Sequence, residues 1–168
     1  MQLMKNFSYI FCLLLVIGVL ASGCKKKIEG ELGAPYSKVT GMTGAWELTE
    51  FSQLDLKNPI KEERDLSSFF IQEGSNPFTI EFNSEDRSFS TSIEIGKNYF
   101  GDMGTWGFDD DDYPSFLYID NGSQILEFEM GNMVDQYDRE LNLDLNRACV
   151  SGDDITETVI YRFKFIRQ

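Results

Sequence analysis

The sequence predicts an all-β protein: an eight-stranded antiparallel up-and-down β-barrel, with a β-sandwich as the alternative. Three observations lead there. From Thr43 onward, apolar and polar residues alternate with period two, and long stretches of helical period are missing. Turn-forming clusters separate the alternating runs, which favours hairpins and so antiparallel neighbours. Each run has one apolar face, so the sheet must close on itself or pack on a second sheet.

The elements follow in order. Ala45 to Phe51 reads as a first strand with Trp46 and Leu48 on one face, and Ser52 to Arg64 as a polar loop. Asp65 to Ile71 is a short helix candidate with Asp65 as its N-cap. Phe78 to Phe82, Phe89 to Ile95, Thr105 to Phe108 and Ser115 to Ile119 are the next strands. Ile125 to Met130 alternates cleanly, as does Leu141 to Leu145, and Thr158 to Ile166 closes the chain. Asn83-Ser84-Glu85-Asp86, Gly96-Lys97-Asn98, Asp120-Asn121-Gly122 and Ser151-Gly152-Asp153-Asp154 supply the turns. Eight strands suit a barrel whose interior holds side chains or one small ligand. Most runs are shorter than the roughly 9–11 residues of a membrane-spanning strand and carry acids on the second face, which argues against a transmembrane barrel.

The N-terminus reads as an address. A polar start with Lys5 precedes an almost wholly apolar run, Phe7 to Ala21, too short to span a bilayer and long enough for a signal-peptide core. It ends in Leu20-Ala21-Ser22-Gly23-Cys24, which resembles the lipobox of bacterial lipoproteins, with Ala21 where leucine is commonest. That resemblance implies cleavage before Cys24 and acylation of Cys24. Residues 1–23 are then a lipoprotein signal peptide, 24–42 a Gly- and Pro-containing flexible tether, and 43–168 the barrel. Two or three acyl chains hold a protein firmly at a membrane, at about 0.8 kcal/mol per buried methylene. No Asp follows Cys24, which under the enteric sorting pattern favours the outer membrane and leaves the face open. After cleavage Cys149 is the one cysteine besides the lipidated Cys24, so no intramolecular disulfide is expected.

Composition narrows the function. The 168 residues include 15 Lys+Arg, 28 Asp+Glu and no histidine, a formal net charge of −13. Residues 1–23 carry only Lys5, and from Met42 on 10 basic residues face 26 acidic ones, a charge of −16. Basic Lys25-Lys26-Lys27 lies beside the lipid site, suited to an anionic membrane surface. The acidic body argues against nucleic acid as a partner. Without histidine there is no Ser-His or Cys-His pair and no His-ligated metal, so a catalyst is not expected, nor a cofactor.

Gly44-Ala45-Trp46, at the entrance of the first strand, is similar to the first signature of lipocalins. In those barrels the Trp plugs the closed end and an Arg from near the last strand packs across it. The resemblance gives that role to Arg167 or Arg162, with Arg167 preferred. No Thr-Asp-Tyr signature or disulfide pair accompanies it. The lipobox, Gly44-Ala45-Trp46, a central Gly104-Thr105-Trp106-Gly107-Phe108-Asp109-Asp110-Asp111-Asp112 and an aromatic last strand together resemble an uncharacterised lipocalin-like family of lipoproteins from Gram-negative gut anaerobes. That resemblance covers about residues 43–168 and implies fold and location, with no established activity.

The candidate site residues are aromatic and apolar. Trp106, Phe108, Phe116, Tyr118, Phe128 and Met130 would line a cavity for a small apolar or amphipathic ligand if the barrel is hollow. Tyr161 and Phe163, with Met103 and Met133, join the same set, and in a filled barrel all of them are core. The second reading is a non-catalytic structural or interaction module of the cell envelope with an envelope protein as partner. Asp109 and Asp111 are the candidate cation ligands in the aspartate run, which does not have the spacing of an EF-hand loop.

Overall fold

A computed structural model describes residues 36–168 except 61, 133, 135, 152 and 153, without the side chains of 149–151, 154, 155 and 157. Cys24, Met133 and the Cys149 side chain therefore lie outside what is described. Among the described residues the strands are β1 (Gly44–Asp55), β2 (Glu63–Asp65), β3 (Thr79–Phe82), β4 (Ser88–Ser92), β5 (Met103–Phe108), β6 (Phe116–Asp120), β7 (Ile125–Met130), β8 (Glu140–Ser151) and β9 (Asp154–Arg167). A single short helix, α1 (Lys38–Met42), precedes them, and a 3-10 turn covers Ser67–Phe69.

β1 pairs with β3, and each strand from β3 to β9 pairs antiparallel with the next. β9 returns to β1 over Trp46↔Arg167 to Asp55↔Val159, which closes an eight-stranded up-and-down barrel. β2 is an extra strand on the free edge of β1, with Ser52↔Asp65 to Leu54↔Glu63 in register. The barrel, rather than a sandwich, is the observed arrangement.

The structure departs from the sequence reading chiefly in four places, and besides these β4 stops at Ser92 rather than Ile95 and β9 begins at Asp154 rather than Thr158. β1 does not stop at Phe51, and the stretch read as a loop contains the end of β1 and the whole of β2. The short helix shrinks to the 3-10 turn, and Asp65 accepts from the Ser67 amide at 2.8 Å rather than capping a longer helix. β8 runs six residues past Leu145, to Ser151, because β9 keeps pairing with it there. The segment up to Met42, read as tether, contains α1, whose Gly41 and Met42 are buried; Ser37 caps it by accepting from the Thr40 amide at 3.3 Å.

The core is the inner face of the barrel. Leu117 and Ile119 from β6, Leu126 and Phe128 from β7, Leu141, Leu143 and Leu145 from β8, and Phe163 and Phe165 from β9 are all buried. Antiparallel neighbours place α1, Gly44, the β3–β4 turn, the β5–β6 loop and the C-terminus at one end. The segments before β3 and between β4 and β5 lie at the other.

Candidate functional site

The first end is closed by Trp46. Its ring is fully buried and its Nε1 donates to the Met42 carbonyl at 2.9 Å. Arg167, in register with Trp46 across the barrel closure, lays its guanidinium over the indole at 4.3 Å from the ring centroid. The same guanidinium donates through Nε to the Asp138 carbonyl at 3.0 Å, through Nη1 to Thr43 at 2.8 Å, and through Nη2 to Gly41. One side chain thus ties the last strand to α1 and to the loop before β8. Gly44 sits at φ +117°, a backbone region L side chains rarely adopt, and a Cβ there would meet Arg167 Nη1 at 3.7 Å. Arg162, the other candidate, is on the outer face instead. There it bridges Asp144 (3.1 Å) and Glu63 (3.2 Å), and Ser52 donates to that Glu63.

The interior is occupied by aromatic rings. Phe100, from the β4–β5 segment, stacks on Phe128 with centroids 4.7 Å apart and planes within 4°. It also meets Phe163 edge-on at 5.3 Å and Phe78 at 5.7 Å. Phe51 packs on Phe70 at 4.7 Å and Phe163 at 4.8 Å. Phe70, Phe78 and Phe100 all come from segments between strands, so the second end is plugged by loop residues turned inward. Phe100, Phe128 and Phe165 have no exposure at all.

The six candidate ligand residues divide. Phe128 and Trp106 are buried core, and Trp106 Nε1 donates to the Asn83 carbonyl at 3.1 Å. Phe108 packs edge-on against Trp106 at 5.3 Å, and Met130 is half-buried against the same core. Phe116 and Tyr118 do not face inward. They alternate with buried Leu117 and Ile119, and Tyr118 stands opposite Glu127 on the outer face. Partial burial, then the neighbouring carboxylates of Glu127 and Asp109, raise the Tyr118 phenol above its ordinary range. Both faces of β6 are apolar enough that alternation alone could not choose between them.

The aspartates of the β5–β6 loop organise the loop itself. Asp109 accepts from the Ser115 and Phe116 amides, each at 2.9 Å, and the Phe116 bond foremost lowers its pKa. Asp110 accepts from the Asp112 and Tyr113 amides. Asp111 pairs with Arg87 at 2.8 Å, whose guanidinium lies 4.9 Å from the Trp106 ring centre. Among the described residues no group of three or more acidic or thiol side chains is placed to hold a metal ion. Millimolar Ca²⁺ is expected to leave Tm where NaCl of equal ionic strength leaves it; a Ca²⁺-specific rise of several degrees would contradict this.

An open recess of about 280 Å³ lies on the outer face, bordered by Glu50, Ser52, Glu63, Asp144, Arg162 and Lys164. Burial raises the Asp144 pKa despite the Arg162 contact, which acts the other way. These charges join β1, β2, β8 and β9 to one another. Among the described residues no helix is long and apolar enough to cross a membrane.

No family model matches the chain, and no curated protein is detectably similar to it. The fold defines the class, a closed up-and-down β-barrel, and the reading of function rests on the molecule's own geometry.

Proposed function

We propose that this chain is a lipid-anchored lipoprotein of the cell envelope, lipocalin-like in kind, whose barrel is a filled, non-catalytic module acting through its ends and outer surface. The observation that carries the reading is the interior: Phe51, Phe78, Phe100, Phe128, Phe163 and Phe165 interlock where an apolar ligand would sit. Protein interiors pack as densely as organic crystals, so a ligand of any size there must first displace these rings. The anchor rests on the apolar run ending at Cys24 and on the adjacent lysines. Eleven residues separate Cys24 from Tyr36, a stretch that reaches at most about 40 Å when extended. Tyr36 leads into α1, at the end closed by Trp46. The outer membrane is the proposed address and another envelope component the partner.

Cys24→Ala tests the anchor. The variant is expected in the soluble fraction. Retention in the membrane fraction would overturn the anchor, and the filled-barrel reading would stand or fall separately on whether the interior admits a small apolar probe.

A further inference from the structure

In a body as acidic as this one, cations are expected to be drawn to carboxylates, and most of those at the outer face and the first end are engaged: Arg87, Arg162 and Lys164 with acids, Arg167 with carbonyls and Trp46. The plugged mouth differs. Arg147 is in register with Val159, one pleat beyond the Leu145↔Tyr161 pair whose side chains face inward, so it stands on the inner face at the rim. It is half-buried, and among the described residues its guanidinium makes no hydrogen bond or ion pair. Leaving a partly desolvated guanidinium without an acceptor is unfavourable unless an anion arrives.

Other donors surround that place. Tyr99 and Tyr161 have ring centroids 5.3 Å apart, and Lys97 Nζ lies 4.9 Å from the Tyr99 ring centre. Burial and then Tyr161 push the Tyr99 phenol up while Arg147 pulls it down, so the Tyr99 hydroxyl is a donor at neutral pH. The segment is held in advance: Asn98 accepts from the Phe100 and Gly101 amides at 3.1 Å and donates to Thr91 and Asp102. Beside Lys97 the backbone of Gly96 touches Phe69–Phe70, where a Cβ would come within 2.7 Å of the Phe69 carbonyl oxygen and the Phe70 ring. Phe69 is 61% exposed. A cationic, phenol-lined rim therefore adjoins an uncovered aromatic ring, and the filled interior leaves the tail of a bound molecule outside.

We propose that the mouth of the barrel binds the oxyanion head of a single-chain amphiphile, a carboxylate or phosphate held by Arg147, Lys97, Tyr99 and Tyr161, with its chain laid along Phe69 outside the barrel. This goes beyond the envelope reading and is independent of the lipid anchor.

The test is calorimetric titration of the purified protein with dodecanoate and dodecyl phosphate below their micellar concentrations. Dodecyltrimethylammonium supplies the same chain with a cationic head, and inorganic phosphate supplies a head alone. Both anionic amphiphiles are expected to bind saturably, each at least tenfold tighter than either comparator. Lys97→Gln/Arg147→Gln is expected to lose tenfold or more at unchanged Tm, and Tyr99→Phe, which keeps the ring packing, several-fold. The proposal is overturned if the cationic amphiphile binds equally well, if inorganic phosphate matches dodecyl phosphate, if the double variant binds as wild type, or if no amphiphile binds. None of these results bears on membrane retention, so the anchor is judged separately by Cys24→Ala.

Discussion

Phe100→Ala is expected to destabilise the barrel by about 3–5 kcal/mol and lower Tm by roughly 10–15 °C. The ring is fully buried and touches four rings from three other parts of the chain: Phe78 before β3, Phe128 on β7, and Phe163 and Phe165 on β9. Removing it leaves a dry apolar void whose walls belong to rigid strands, so collapse into the space is limited and the cavity cost adds to the lost burial. The segment around it will not readily follow, because Asn121 donates to the Phe100 carbonyl at 3.1 Å and Asn98 accepts from its amide. Urea unfolding measures the loss. A cost under about 1 kcal/mol would mean that Phe100 is a movable lid over space already present, and the filled-barrel account would fail.

Arg167→Leu is expected to cost about 3–4 kcal/mol. The substitution keeps an apolar side chain over Trp46 but removes the donors to the carbonyls of Gly41, Thr43 and Asp138. Hydrogen bonds from a charged donor contribute about 1.5–3 kcal/mol each, and the indole contact about 0.5–2 more, partly discounted because Arg167 is only half-buried. The damage has a location: α1 and the first turn of β1 should lose amide-exchange protection before the rest of the barrel does. Arg167→Lys should recover only part of the stability, since an ammonium is a point donor and cannot reach three carbonyls in a plane. Equal stability of Arg167→Leu and wild type by urea unfolding would show that the closure is ornamental.

Much of this architecture was legible because alternation is a direct consequence of pleating. Leu126 to Met130 alternates strictly between apolar residues and glutamates, and β7 covers that run with Ile125 before it. Gly44 was legible through the resemblance of Gly44-Ala45-Trp46 to the lipocalin signature, and its positive φ supplies the physical reason for a glycine there. β2 was not legible: Glu63, Arg64 and Asp65 carry no apolar signal, and they are extended because β1 offers an edge and Arg162 offers a charge partner. The mouth plug was invisible for a different reason. Phe70, Phe78, Tyr99 and Phe100 lie outside the regular strands, where periodicity has nothing to say about which way a side chain turns. The paired aromatics Phe69-Phe70 and Tyr99-Phe100, the second pair directly before Gly101, were the one available hint. The candidate cavity residues were split by the same logic. Strands fix Trp106 and Phe128 inward, but Phe116 and Tyr118 belong to a strand with two apolar faces, and the glutamates opposite them decide the outcome.

The central claim is that the barrel is filled, and a benzene titration followed by the ring ¹H–¹³C signals of the core phenylalanines tests it most directly. In the wild type those signals should stay unmoved up to benzene saturation, while Phe100→Ala, with its dry void, should bind benzene and shift Phe128 and Phe163. Saturable shifts of the same rings in the wild type would contradict the account and restore an apolar ligand to the interior.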